Sequence, residues 1–148
     1  MDLVEQINEI INQDKFDAIV IESSGICEPI PIVQTITMMP EMMNGKEICY
    51  LDAVITVVDA IRLKEEFQCG SSLQKENIDD EDIEKLIIEQ LEFCNIIVLN
   101  KKDEVSQEEL AEIKAVIRSI QPQAKIIETN YSKVDVQKIF DTNLFDLE

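Results

Sequence analysis

Histidine is absent from this sequence of 148 residues. Its absence excludes nucleophilic catalysis by Ser-His or Cys-His pairs and every metal site that needs an imidazole ligand. The cysteines are few and far apart, and no Cys-x-x-Cys pair suggests a zinc or redox site, so we expect free thiols. They are Cys27, Cys49, Cys69 and Cys94. We therefore assign no metal ligands, and any chemistry must come from carboxylates, hydroxyls, lysines or thiols.

Basic residues are scarce as well. Lys and Arg number 13 against 31 Asp and Glu, which gives a formal charge of −18 at pH 7. Such a surface repels phosphate backbones and anionic lipid headgroups, so we expect neither nucleic acid nor a membrane as a partner. The sequence also lacks an apolar run of the about 20 residues that a bilayer needs, and it lacks the basic, apolar start of a signal peptide. We expect a cytoplasmic protein.

Apolar residues follow two patterns that alternate along the chain. Helical spacing predicts amphipathic helices over residues 2–13, 32–38, 83–94 and 106–120, and a weaker helix near 134–140. Short β-branched runs predict strands over residues 16–21, 53–58, 96–99 and 125–128. This alternation, with strands too apolar to face water, indicates an α/β fold with a parallel sheet of about four strands flanked by helices. No linker or repeat divides the chain, so we expect a single domain over residues 1–148.

Polar segments follow three of the predicted strands. Ligands of parallel sheets bind beyond the carboxyl ends of the strands, so we expect these segments to share one rim. The segments are Glu22-Ser23-Ser24-Gly25, Asp59 and Asn100-Lys101-Lys102-Asp103.

The segment that begins at Asn100 is the most informative. The Asp103 carboxylate can accept two hydrogen bonds from the ring N–H and the exocyclic amine of guanine, whereas adenine has no such pair of donors. The Asn100 amide can bind the base edge or brace a neighbouring loop, and the stem of Lys101 can lie along the base. The alternative is a polar turn that only caps the strand. The position of the segment after an apolar strand favours nucleotide recognition.

The segment that begins at Glu22 has the form of a Walker B element. Its carboxylate would lie near a magnesium-bound or attacking water, and Gly25 would let the backbone approach a terminal phosphate. The alternative is a turn into a helix, since serine and glycine are common turn residues. Asp59 can cap a helix or contact a switch region, and we favour the helix cap.

Four strings of this sequence resemble the G domain of the CobW-like metallochaperone GTPases, the group that includes urease and hydrogenase accessory proteins. They are VIESSGICEPIPI, DAVITVVDA, QLEFCNIIVLNKKDEV and IRSIQPQAKIIETN. The resemblance implies a P-loop GTPase sheet that binds GTP with magnesium, and delivery of zinc or cobalt to a target protein.

The resemblance also implies roles for particular residues. Glu22 and Gly25 correspond to catalytic Walker B residues. The guanine-specificity residues correspond to Asn100, Lys101 and Asp103, and the loop that closes over the base contains Thr129 and Asn130.

Two motifs of the family are missing: the GxxxxGK[ST] phosphate loop and the CxCC metal motif. We therefore interpret the chain as the middle and distal part of such a G domain, a truncated P-loop GTPase-type domain with only the guanine half of the site. We expect no GTP hydrolysis by this chain alone. The alternative is a non-catalytic protein-interaction module that keeps the fold.

In P-loop GTPases of this group, the phosphate-loop strand lies between the strands that correspond to residues 16–21 and 53–58. Without it, both strands would leave backbone N–H and C=O groups unpaired, at a cost of about 1 to 3 kcal/mol for each buried group. We expect the two strands to pair directly, with self-association through the open edge as the second possibility.

Overall fold

The computed structural model describes residues 3–42, 49–79 and 83–146. The chain divides into two compact units, Met1–Leu51 and Asp52–Glu148, and each is described by itself. The single domain expected over residues 1–148 stays a prediction. In the described ranges, none of the helices has the length and apolar character needed to cross a bilayer.

The first unit contains two helices, α1 (Leu3–Ile11) and α2 (Pro29–Met42). The helix predicted over residues 2–13 is confirmed by α1. Helix α2 begins before the predicted residue 32, because the fixed φ of proline suits the first turn of a helix. It also continues beyond the predicted end at residue 38 and ends at Met42.

The strand predicted over residues 16–21 is wrong. This stretch forms no strand, and the exposed fractions of Phe16 and Val20 are 61% and 82%. The expected direct pairing of residues 16–21 with residues 53–58 is therefore wrong as well. A β-branched run becomes a strand only where a neighbouring strand takes its backbone hydrogen bonds and other groups cover its side chains.

Among the described residues, the second unit contains a three-stranded sheet and three α-helices. Its strands are β1 (Ile55–Asp59), β2 (Ile96–Asn100) and β3 (Lys125–Glu128). Its helices are α3 (Ala60–Phe67), α4 (Ile83–Glu92) and α5 (Gln107–Ile120). The strands are parallel and lie in the order β1-β2-β3. The α/β class with a parallel sheet flanked by helices is confirmed, with three strands among the described residues.

Strand β2 is the centre of the second unit. Its residues from Ile96 to Leu99 are all at most 4% exposed. Ile97 and Leu99 join one apolar cluster with residues of α3 and α5, including Leu63 and Ile113. The apolar burial of this cluster fixes which residues end each strand, and therefore which side chains reach the rim.

Local signals set the ends of the elements in this unit. A capping box begins α5: the Glu109 N–H donates to Ser106 Oγ and the Ser106 N–H donates to the Glu109 carboxylate. The segment Gln68–Gln74 contains 3-10 turns interrupted by a kink, where Cys69 and Gly70 have positive φ of 57° and 93°. The helix predicted near residues 134–140 is wrong, because only a 3-10 turn over Val136–Lys138 forms there.

Candidate functional site

The carboxyl ends of the three strands place polar residues side by side. Asp59, the last residue of β1, is the register partner of Asn100, the last residue of β2. Thr129 follows β3, and its N–H extends the ladder by donating to the Leu99 carbonyl at 2.8 Å. Asp59, Asn100 and Thr129 therefore lie along one rim of the sheet, as expected for a ligand site in a parallel sheet.

Asn100 braces the loop that follows β3. Its Oδ1 accepts hydrogen bonds from Thr129 Oγ1 at 3.1 Å and from the Ser132 N–H at 2.7 Å. Thr129 is buried, whereas Tyr131 is 87% exposed, and Tyr131 and Ser132 both have left-handed backbone. Of the two roles left open for the Asn100 amide, the structure shows the bracing of the loop.

Asp103 presents an exposed carboxylate that accepts no hydrogen bond from the described residues. Its backbone N–H donates to Asn130 Oδ1 at 3.2 Å, and the neighbouring Lys102 N–H donates to the Thr129 carbonyl at 3.3 Å. These bonds tie the segment after β2 to the loop after β3. Among the described residues, none donates a hydrogen bond or pairs a charge with the exposed Asp103 carboxylate. It is thus available to a ligand that carries two adjacent N–H donors.

Lys101 forms an ion pair across the strand ends. Its Nζ lies 2.6 Å from Asp59 Oδ2, and its backbone is left-handed with φ of 60°. Partial burial acts to raise the pKa of Asp59, but the hydrogen bond from Lys101, the N–H of Arg62 and the lysine charge outweigh it and leave this pKa below its usual value. The hydrogen bond to Asp59 raises the pKa of Lys101.

The expected helix cap at Asp59 is confirmed. Its Oδ1 accepts from the N–H groups of Ile61 and Arg62 in the first turn of α3. Sequence reasoning missed the second contact of Asp59, the ion pair with Lys101. Asp59 ends β1, and Lys101 directly follows the neighbouring strand β2. The contact follows from the strand register, which places Asp59 opposite Asn100.

Glu22 and Gly25 lie in the first unit, where Glu22 is exposed and belongs to no strand. A turn follows it, in which the Cys27 N–H donates to the Ser24 carbonyl at 2.9 Å. A Cβ built on Gly25 would meet no atom within 4 Å. The strand that was expected to carry Glu22 to the rim is absent from the described residues, so its Walker B role stays a prediction.

The residues of the rim suit the base of a nucleotide better than its phosphates or a metal. Within residues 3–42, 49–79 and 83–146, no three acidic or cysteine side chains converge as metal ligands would. Burial raises the pKa of Cys94 to about 11, which keeps this thiol protonated. The sequence contains no GxxxxGK[ST] loop to hold phosphates and magnesium. The Asp103 carboxylate, in contrast, fits the donor pair of guanine.

Residues 1–128 match the family described as the CobW/HypB/UreG nucleotide-binding domain. The chain belongs to this family. It is 36% identical over 154 residues to zinc-regulated GTPase metalloprotein activator 1 of Dictyostelium discoideum, a match that covers 99% of this chain and 32% of the relative. It is 32% identical over 143 residues to the zinc chaperone CobW of Pseudomonas aeruginosa, with 90% of this chain and 37% of the relative covered.

Among solved structures, the Zn(II)-bound YjiA GTPase from Escherichia coli superposes with a TM-score of 0.68. That match has 24% sequence identity and covers 99% of this chain and 40% of the YjiA chain, so it shows the fold alone. The chain spans about a third of the length of the curated relatives that it matches. The resemblance found in the sequence is confirmed by the family match.

Proposed function

We propose that this chain binds the base of a guanine nucleotide as part of a GTPase that delivers metal to a target protein. The observation that carries the proposal is the exposed Asp103 carboxylate. It accepts no hydrogen bond from the described part of the chain, and its segment is bonded to the loop after β3. The names of two relatives, a zinc-regulated activator and a zinc chaperone, support zinc rather than cobalt as the metal that is delivered.

In this proposal, recognition of the base depends on a carboxylate held in a fixed place. Asp103 accepts the ring N–H and the exocyclic amine of guanine, and an adenine base leaves the carboxylate without donors. Asn100 and Asn130 hold the two loops at the rim together through their side-chain oxygens. Hydrogen bonds to charged groups contribute about 1.5 to 3 kcal/mol each, which is enough for clear selection between bases.

The phosphate end of the nucleotide requires groups that this chain does not supply. GTP is hydrolysed mainly through positioning and neutralisation of phosphate charge, and the sequence lacks the loop that provides both. We propose that Glu22 and Gly25 act as Walker B residues only where a phosphate loop is present, so that this chain alone does not hydrolyse GTP. We also propose that the chain is cytoplasmic and that it can self-associate.

The experiment compares binding of GMP, XMP and AMP to the chain by NMR titration of backbone amides. Monophosphates are the suitable probes because the chain carries a charge of −18 and lacks a phosphate loop. The substitution Asp103→Asn should lower the affinity for GMP by roughly tenfold or more and raise the affinity for XMP. The reason is that the asparagine amide donates to the oxygen that replaces the guanine amine in xanthine. Glu104→Gln is the matched control, because it removes the same charge one residue away.

A wild-type chain that binds GMP and AMP equally weakly, with no change in Asp103→Asn, would contradict the proposal. That result would favour the second candidate, a protein-interaction module that keeps the fold without nucleotide recognition. The missing phosphate loop is the observation that supports this second candidate.

A further inference from the structure

We propose that Asp59 is a positioning residue of the guanine site, which holds the Lys101 ammonium so that the lysine stem forms the surface on which the base lies. This inference rests on the proposed function. It adds to the site a residue outside the segment that begins at Asn100.

The geometry of the strand ends fixes where the lysine stem can lie. Asp59 and Asn100 are register partners on neighbouring parallel strands, which lie about 4.8 Å apart in a sheet. Lys101 leaves β2 with left-handed backbone, and its Nζ reaches Asp59 Oδ2 at 2.6 Å. The apolar stem of Lys101 therefore crosses from the end of β2 to the end of β1, on the same rim as Asp103.

The anchor at Asp59 is itself held by the fold. Its Oδ1 accepts two N–H groups at the start of α3, at 3.0 and 3.2 Å, and this cap leaves Oδ2 for the lysine. Each carboxylate oxygen thus has a different partner. A capped carboxylate loses little further freedom when it binds the ammonium, so the lysine stem is ordered before a ligand arrives.

The left-handed backbone of Lys101 also indicates that contacts hold this residue in place. A non-glycine residue in this conformation is strained, and such residues persist where surrounding contacts hold them. Here the Lys101 side chain makes an ion pair with Asp59. The stem is apolar and has no donor pattern, so it supports any purine base equally.

This separates the role of Asp59 from that of Asp103. Loss of the anchor at Asp59 should lower the affinity for all purine nucleotides by the same factor, because the Lys101 stem contacts the face of the base. Loss of the Asp103 carboxylate should instead change the ratio of GMP to XMP affinity, because it contacts the edge. The ratio therefore separates the anchor at Asp59 from the Asp103 carboxylate. A loss of structure at α3 is separated from both by Lys101→Met, which breaks the same ion pair from outside that helix.

The test uses two substitutions that each remove one end of the ion pair. Asp59→Asn keeps a side chain that caps helices well, but removes the anion. Lys101→Met keeps an unbranched apolar stem, but removes the ammonium. Glu66→Gln is the matched control, because it breaks the exposed ion pair with Arg62 on the same helix and removes the same charge.

We expect Asp59→Asn and Lys101→Met each to lower GMP and XMP affinity by about two- to fivefold, the effect that an exposed ion pair supports, with the GMP/XMP ratio unchanged. The double variant should bind no more weakly than either single variant, and Glu66→Gln should bind like the wild type. Without nucleotide, the NMR signal of the Lys101 ammonium should shift in Asp59→Asn and stay unchanged in Glu66→Gln.

Several results would overturn the inference. An unchanged ammonium signal in Asp59→Asn would show that the ion pair does not hold the lysine. A shifted signal with unchanged nucleotide affinity, or with an altered GMP/XMP ratio, would show that the ion pair does not position a base platform. A wild-type chain without preference for GMP over AMP would overturn the proposed function and this inference together, so the two failures are distinguishable.

Discussion

Strand β2 and residues 16–21 carry similar runs of β-branched apolar residues, yet they lie in opposite environments. Val98 in β2 is 4% exposed, whereas Val20 is 82% exposed and belongs to no strand. Strand β2 has a parallel neighbour on each side, β1 and β3, and it buries side chains on both of its faces. In residues 16–21 the same kind of run is not paired in a sheet.

The difference shows that the composition of a strand does not produce the strand by itself. β-propensity measures how well a side chain fits a paired and half-buried surface, and it changes with the neighbours. The backbone of a central strand satisfies its N–H and C=O groups on both sides, which compensates for the loss of chain entropy. Substitutions of the same type in the two regions should therefore have very different effects.

The largest expected difference comes from the pair Val98→Ala and Val20→Ala. Removal of two methyl groups at Val98 loses burial and leaves a cavity, so we expect the free energy of unfolding to fall by about 2 to 3 kcal/mol. At Val20 the same substitution should change the free energy of unfolding by no more than about 0.5 kcal/mol. Urea unfolding followed by circular dichroism measures both values. Equal losses in the two variants would contradict the comparison.

A second, smaller difference in stability is expected between the variants Gly70→Ala and Gly25→Ala. Gly70 has φ of 93°, and an added Cβ would lie 3.0 Å from Val116 Cγ1 in α5, so this variant should lose about 1 to 2 kcal/mol of stability. Gly25 has open space around it, so its variant should unfold like the wild type. A stable Gly70→Ala chain would mean that the Gln68–Gln74 turn moves away from α5 at little cost. The same urea titrations test this pair.

Much of the second unit could be predicted because several local signals agree there. Helix α5 has both a periodic apolar face and the capping box of Ser106 and Glu109. Strands β2 and β3 are apolar runs bounded by polar residues. A helix cap was expected at Asp59, but no range was predicted for α3, although Ala60, Leu63 and Phe67 have helical spacing and are all buried. Its short length and charged residues hid this apolar face.

The candidate site could be predicted only in part. The segment from Asn100 to Asp103 and the loop with Thr129 and Asn130 were both named, and the structure brings them together through hydrogen bonds. The choice of the Asn100 amide for bracing could not be predicted, because it depends on the path of the loop after β3. The pairing of Lys101 with Asp59 depends on the strand register, which a single sequence does not contain.

The smallest expected effect concerns the charges that the sheet brings together at this rim. The pKa of Asp59 lies below its usual value in the folded chain, so its contribution to stability is present above its ordinary pKa and is lost as the pH falls through the folded pKa. Asp59→Asn has no carboxylate to protonate there. The wild type should therefore be more stable than this variant near pH 7, and the difference should shrink as the pH falls below about 4.

Urea unfolding of both chains at several values between pH 3 and pH 7 measures this difference. Because the pKa of Lys101 is raised, the stability that it contributes is fully present below its ordinary pKa and is lost only as the pH rises through the folded pKa. This contribution is therefore constant between pH 3 and pH 7. The ion pair is partly exposed, so added salt should reduce the difference at pH 7 as well. A difference that stays constant from pH 3 to pH 7 would mean that the cap of α3 alone, without the charge on Asp59, accounts for the stability at this rim.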